Sequence, residues 1–220
     1  MMKKRLTYLL YLVLIIVGLS VMLYPAINKN QSLKKHANEV SDYTDAAQKL
    51  SRSDYKMMLS EAQMYNIQLQ KVKFPYQNYD VVEGYEDILD VSGTGMMGHV
   101  LIDKIHVGLP IYHGTSEANL QAGVGHLQGS SLPVGGVGTH AVLSAHSGVP
   151  GAELFSQLNK LEIGDRFKIS VLNNTLIYEV DQIKVVSPEE IDDLYIDPEQ
   201  DYCTLMTCTP PGINTHRLLV

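Results

Sequence analysis

The sequence predicts a mainly β protein, a closed or nearly closed barrel of seven or eight short strands with short helices in its connections, set behind an N-terminal transmembrane helix and a helical spacer. Three observations predict it. Leu6 to Tyr24 carries no charged residue over nineteen positions. Residues 31–70 contain neither Gly nor Pro and repeat apolar residues at loose three-to-four spacing. From about Asp87 onward apolar residues alternate in short runs broken by Gly, Pro and Asn, the period-two signature of strands. The resulting organisation is an anchor over 1–30, a spacer over 31–70, a loop over 71–86 and a barrel domain over 87–220.

The uncharged run, at about 1.5 Å per residue, spans a hydrocarbon core of roughly 30 Å. Lys3, Lys4 and Arg5 precede it, which assigns the short N-terminus to the cytoplasm and the bulk of the chain to the outside. A cleaved signal peptide begins the same way, but its apolar core is shorter, and Tyr24-Pro25-Ala26 is a poor small-residue cleavage site. In the spacer, Leu50, Met57, Met58, Leu59 and Met64 mark the apolar spacing, and Ser41-Asp42 and Ser53-Asp54 each offer an N-cap. Two helices broken near Ser51-Arg52-Ser53 are expected, packed on the domain surface. Next, Lys73-Phe74-Pro75-Tyr76-Gln77-Asn78-Tyr79 sets aromatic residues around a proline that forbids helix. Such a loop is either a tether or a lid.

Strands are expected at Met97–Ile102, Gly108–Tyr112, Thr139–Ser144, Phe167–Val171, Thr175–Val180 and Gln182–Val186, with a tight turn at Asn173-Asn174. A helix is expected over Ala152–Lys160, with Leu154, Phe155 and Leu158 on one side, and another starting at Ser187-Pro188-Glu189. Two last strands run through Tyr202–Thr209 and Asn214–Val220, joined by Pro210-Pro211-Gly212.

Charge narrows the partners. The chain has 17 basic and 24 acidic residues, and residues 57–220 hold 8 and 20 of them, a net −12. An acidic exported domain does not suit nucleic acid. The two cysteines, Cys203 and Cys208, are five apart. In an extended strand they lie roughly 16 Å apart on opposite faces, too far for a disulfide. Cys208, at a strand end, is therefore a free thiol, either a small buried hydrophobe or a nucleophile.

Among eight histidines, His146 stands out because it leaves the strand ending at Ser144-Ala145 and enters a loop, where a rigid scaffold presents functional side chains. Cys208, His146 and Arg217 together make an acyl-transfer set. A cation beside the thiol favours the thiolate, imidazole can protonate a leaving amine, and a permanently charged guanidinium can hold an oxyanion. A zinc site from His140, His146 and Cys208 is the competing reading, but no short ligand pair accompanies it.

Thr204-Leu205-Met206-Thr207-Cys208, Arg217 nine residues on and His146 about sixty residues earlier resemble the signature of sortases, the membrane-anchored cysteine transpeptidases of Gram-positive bacteria. Leu109–Thr115, Gly123–Leu127, Gly129–Pro133 and Asn214–Val220 resemble the pilus-building class C branch in particular. The resemblance implies a closed eight-stranded sortase-type barrel with Cys208 as nucleophile, His146 as general acid and base, and Arg217 on substrate and oxyanion. It implies a Leu-Pro-X-Thr-Gly-like sorting signal as donor, a lysine of a second pilin subunit as acceptor, and no cofactor. Class C members carry an Asp-Pro-aromatic lid; Phe74-Pro75-Tyr76 is the counterpart here, with Phe in place of Asp. A modified lid with Tyr76 over Cys208 is expected, and Phe74, Tyr76 and Thr207 are the expected lid- and substrate-side residues. Family members normally continue past the position of Val220, often into a second membrane segment, so a truncated end is expected. Two other readings stay open: a sortase that attaches surface proteins to peptidoglycan, and a non-catalytic surface barrel that binds a peptide in the same groove.

Overall fold

The computed structural model describes residues 2–149 and 151–220; Met1, in the anchor, and Pro150, in the loop after His146, lie outside the described residues. Helix α1 runs from Met2 to Gln48 without interruption, so the apolar segment and the first half of the spacer are one rod. Its apolar part is long enough to cross a membrane by length and composition. Ser41, expected as an N-cap, lies inside this helix. The break comes where the spacing predicts it, and the cap of helix α2 (Arg52–Leu69) is Ser51, whose Oγ accepts from Asp54 N at 3.1 Å.

Both helices dock. Tyr43 of α1 donates its hydroxyl to Met97 O at 2.7 Å and accepts from Leu172 N at 3.0 Å, and Asn173 Nδ2 donates to Ala47 O at 2.9 Å. On α2, Asn66 donates to Leu132 O at 3.0 Å and accepts from Leu132 N at 2.7 Å. Its amide thus serves one buried backbone unit as a strand neighbour would. Ala62, Tyr65 and Leu69 bury the rest of that face.

The domain is a nine-stranded sheet: β1 Met96–Ile102, β2 Val107–His113, β3 Val124–His126, β4 Thr139–Ser144, β5 Arg166–Val171, β6 Asn174–Glu179, β7 Lys184–Val186, β8 Asp201–Thr209 and β9 His216–Leu219, with helix α3 (Glu117–Ala122) between β2 and β3. The order is β6-β5-β1-β2-β3-β4-β8-β9-β7, with β2–β3 and β4–β8 parallel and the other pairs antiparallel. The mainly β architecture agrees with the sequence, but the strand count is nine rather than eight and the ladder ends at β6 and β7 instead of closing. The extra strand is β3, where Gly123-Val124-Gly125-His126 reads as a turn. Its glycines are spacers: a Cβ on Gly125 would stand 2.6 Å from Gly114 O.

Val100, Ile111, Val124, Leu143, Phe155 and Leu205 are buried in the central core. Leu154, Phe155 and Leu158 are buried as expected, yet the segment from Ala152 is a series of turns with one 3-10 turn at Leu158–Lys160 rather than a helix. After Ser187-Pro188-Glu189 the chain likewise makes a turn, and only Asp192–Leu194 is helical, as 3-10. In both places a few apolar residues, Leu154, Phe155 and Leu158 in the first and Ile191 and Leu194 in the second, pack without the length a stable helix needs.

Candidate active site

Strand β8 has two faces. Leu205 and Thr207 are buried on the core side, while Thr204, Met206 and Cys208 face the other way and are partly exposed. Cys208 stands opposite Arg217 in the antiparallel β8–β9 ladder, which brings the two Cβ atoms to about 5 Å on one face. On the other flank, β4 runs parallel to β8 with Ser144 opposite Met206. The pairing continues past the strand end, Ala145 N donating to Met206 O at 3.1 Å. His146 therefore emerges beside Cys208, on the same face.

Two side-chain bonds and one backbone bond fix that emergence. Thr207 donates its hydroxyl to Ala145 O at 2.7 Å, Ser147 Oγ donates to Cys208 O at 2.6 Å, and Phe155 N donates to His146 O at 3.1 Å. Thr207, expected on the substrate side, is buried on the core side instead. The alternation of β8 turns it inward, and its hydroxyl is spent on the backbone just before His146.

The Nε2 atom of His146 lies 3.3 Å from Glu117 Oε1 at the start of α3. Gln121 first and His146 second hold the Glu117 carboxyl below the usual glutamate range. Arg217 Nη1 reaches only backbone oxygens, His216 O at 3.2 Å and Asn214 O at 3.4 Å. Among the described residues no carboxylate pairs with it. Both cysteines are free. Cys203 packs against the core, and burial followed by Asp201 pushes its thiol well above the ordinary value. That shift disfavours the reactive thiolate form.

A groove of about 390 Å³ reaches Arg217 of this cluster, lined also by Leu127, Ile191, Leu194, Met206 and Leu219 among others. Tyr76 and Tyr79 line it too. Tyr76 packs with Met206 against Val142, Leu194 and Leu219, and donates its hydroxyl to Leu194 O at 2.6 Å. The loop backbone rests on Gly129: a Cβ there would meet Pro75 O at 2.8 Å and Tyr76 Cα at 3.0 Å. Phe74 is half exposed at 49 %, with Lys73 Nζ 5.2 Å from its ring centre. The Tyr76 ring thus lies in the groove, in the same apolar cluster as Met206.

His140 is not near this cluster. It is buried, with Nδ1 3.0 Å from Tyr195 O and Nε2 2.7 Å from Thr204 Oγ1, and it sits six residues, roughly 20 Å of strand, before His146. The sequence reading missed Glu117, because its approach to His146 depends on how α3 crosses between β2 and β3. The Ser116-Glu117 helix start was the one available signal.

A family model described as the sortase domain matches residues 100–220. Among curated proteins, sortase A of Streptococcus agalactiae is 25% identical over 224 residues, covering 97% of this chain and 82% of that protein. Sortase D of Bacillus subtilis is 30% identical over 118 residues, covering 53% of this chain and 57% of that protein. Among solved structures, sortase C1 from Streptococcus agalactiae superposes with a TM-score of 0.75 at 44% identity, covering 83% of this chain and 95% of its own. The pilus-related sortase C of Group B Streptococcus gives 0.73 at 43% identity, covering 82% and 94%. Sortase C-1 from S. pneumoniae gives 0.74 at 42%, covering 83% and 94%.

Proposed function

The chain belongs to the sortase family of cysteine transpeptidases and is most similar to its class C members, and from that premise we propose that it polymerises pilin subunits, with Cys208 as nucleophile, His146 as general acid and base and Arg217 as oxyanion partner. The observation that carries this reading is the register that sets Cys208 opposite Arg217 and brings the end of β4 alongside β8, with Arg217 also lining a groove.

The chemistry follows from the groups present. Cys208 Sγ attacks the Thr carbonyl of a Leu-Pro-X-Thr-Gly-like signal, and the oxyanion forms beside Arg217, whose fork is not committed to a carboxylate. The C–N bond breaks as His146 gives a proton to the leaving Gly amine. The lysine amine of another subunit then attacks the thioester, passes its proton to His146 and releases Cys208, leaving an isopeptide bond. The steps balance without a cofactor. Helix α1 would be the membrane anchor, with Lys3, Lys4 and Arg5 on the cytoplasmic side and the 87–220 domain outside. The 71–86 loop would be a lid seated in the signal's groove.

Incubating the full-length chain in detergent with a sorting-signal peptide tests the reading. A thioacyl adduct on Cys208, absent in Cys208→Ala, is expected, followed by transfer to a pilin lysine in preference to a cell-wall peptide amine. Preference for the wall amine would make it a peptidoglycan-anchoring enzyme, and no adduct with either acceptor would leave only a peptide-binding barrel.

A further inference from the structure

We infer that Glu117 is a positioning residue for His146: its carboxylate accepts a hydrogen bond from Nε2–H of the imidazole and so reserves Nδ1 for the proton exchanges of the reaction. The inference rests on the catalytic role proposed above for His146. The contact is 3.3 Å between Nε2 and Oε1. An ionised carboxylate has no proton to give, so Nε2 must be the donor. In a neutral ring the nitrogen that carries the proton is set by the bond its neighbour makes. With Nε2–H held, the lone pair is on Nδ1, which makes no hydrogen bond among the described residues.

Glu117 is built to hold its place although it is exposed. Its Oε1 also accepts from Gln121 Nε2 at 2.8 Å. Ser116 caps α3 through Asn119 N at 3.3 Å, and the Asn119 amide donates to His113 O at 2.6 Å, tying the helix start to the end of β2. The carboxylate therefore stands on the sheet rather than on a free loop. His146 is fixed from its own side by the bonds of Thr207, Ser147 and Phe155 described above. Through the reaction, Nδ1 takes the Cys208 thiol proton as the thiolate forms, gives it to the leaving amine and regains one from the acceptor amine, while the other proton stays on Nε2, hydrogen-bonded to Glu117. This is the logic of a base oriented by a third group.

The test uses the full-length chain in detergent with Glu117→Ala, Glu117→Gln and, as a matched loss of charge elsewhere, Glu162→Gln, whose carboxylate pairs with Lys104. In ¹⁵N-histidine spectra above the imidazole's titration, the parent is expected to show His146 protonated at Nε2 and Glu117→Ala a mixture of both tautomers. The rate of thioacyl formation at saturating peptide is expected to fall roughly 10-fold in Glu117→Ala with KM unchanged. Glu117→Gln should restore most of it, since an amide oxygen accepts the same bond, and Glu162→Gln should match the parent. An unchanged tautomer in Glu117→Ala, or a loss confined to KM, overturns the inference. The tautomer is read without turnover, so a parent that forms no adduct overturns the catalytic reading separately.

Discussion

Cys208 and Arg217 are ladder partners, directly opposite one another across β8 and β9. Their spacing is thus set by backbone hydrogen bonds rather than by a flexible contact between side chains. What Arg217 contributes is then its fork. Arg217→Lys keeps the charge but loses the planar donors, and is expected to slow thioacyl formation about 10²-fold, nearly as much as Arg217→Ala. Single-turnover rates with a sorting-signal peptide measure it, and near-parental activity in the lysine variant would remove the oxyanion role.

Thr207 is expected to matter through His146. Thr207→Val keeps the shape and strands Ala145 O in a buried site, at a cost of about 1–3 kcal/mol. Chemical denaturation should show that loss, and the thioacylation rate should fall with peptide KM unchanged. Thr207→Ser, which keeps the donor, should recover both.

The loop over the groove is seated by two features that can be removed one at a time. Tyr76→Phe deletes the bond to Leu194 O, and Gly129→Ala places a methyl where Pro75 O lies, at a backbone φ of +95° that disfavours any side chain. Each is expected to speed modification of Cys208 by a thiol reagent about 2–10-fold. Deleting residues 72–80 should do so more strongly. Cys203, half-buried and with its thiol pushed up by burial, should react more slowly than Cys208 and give an internal reference. Unchanged rates in all three variants would end the lid interpretation.

Acid should loosen the fold through His126. It is fully buried, donates Nε2–H to Ser131 O and faces the Tyr85 hydroxyl from Nδ1, and burial pulls it down to about 4. The unfolded imidazole, near 6.5, takes a proton that the folded one refuses. Its contribution is therefore complete above about pH 6.5 and is lost as pH falls towards 4, by up to about 3 kcal/mol. Burial lowers His99 and His140 in the same direction. Denaturation midpoints across pH 4–7 should fall less steeply in His126→Gln by one proton's share, and an equal slope would refute the assignment.

How much of this is legible in the sequence depends on how locally each feature is determined. The positions of Cys208 and Arg217 follow from strand alternation and a short turn, both local. His146 is legible as a strand end, although its neighbour in space is sixty-two residues on and only the parallel β4–β8 pairing joins them. β3 is hidden because close backbone approach demands glycine, and glycine reads as turn. Leu154, Phe155 and Leu158 carry a helical spacing that the core satisfies with turns. Glu117 and Gly129 matter only through chain crossings, which no local periodicity encodes.

The uninterrupted α1 has a consequence for encounter rather than for chemistry. With its apolar part in the bilayer, as proposed above, about nineteen further helical residues, roughly 28 Å, would separate Tyr24 at the membrane from Tyr43, where the sheet is bolted on. A supple linker would let the groove sweep a hemisphere of the cell surface. Under the proposed anchoring and reaction, a rod would confine it to one altitude, where donor and acceptor subunits presenting their reacting segments at that height would search for it in two dimensions, at a raised effective concentration.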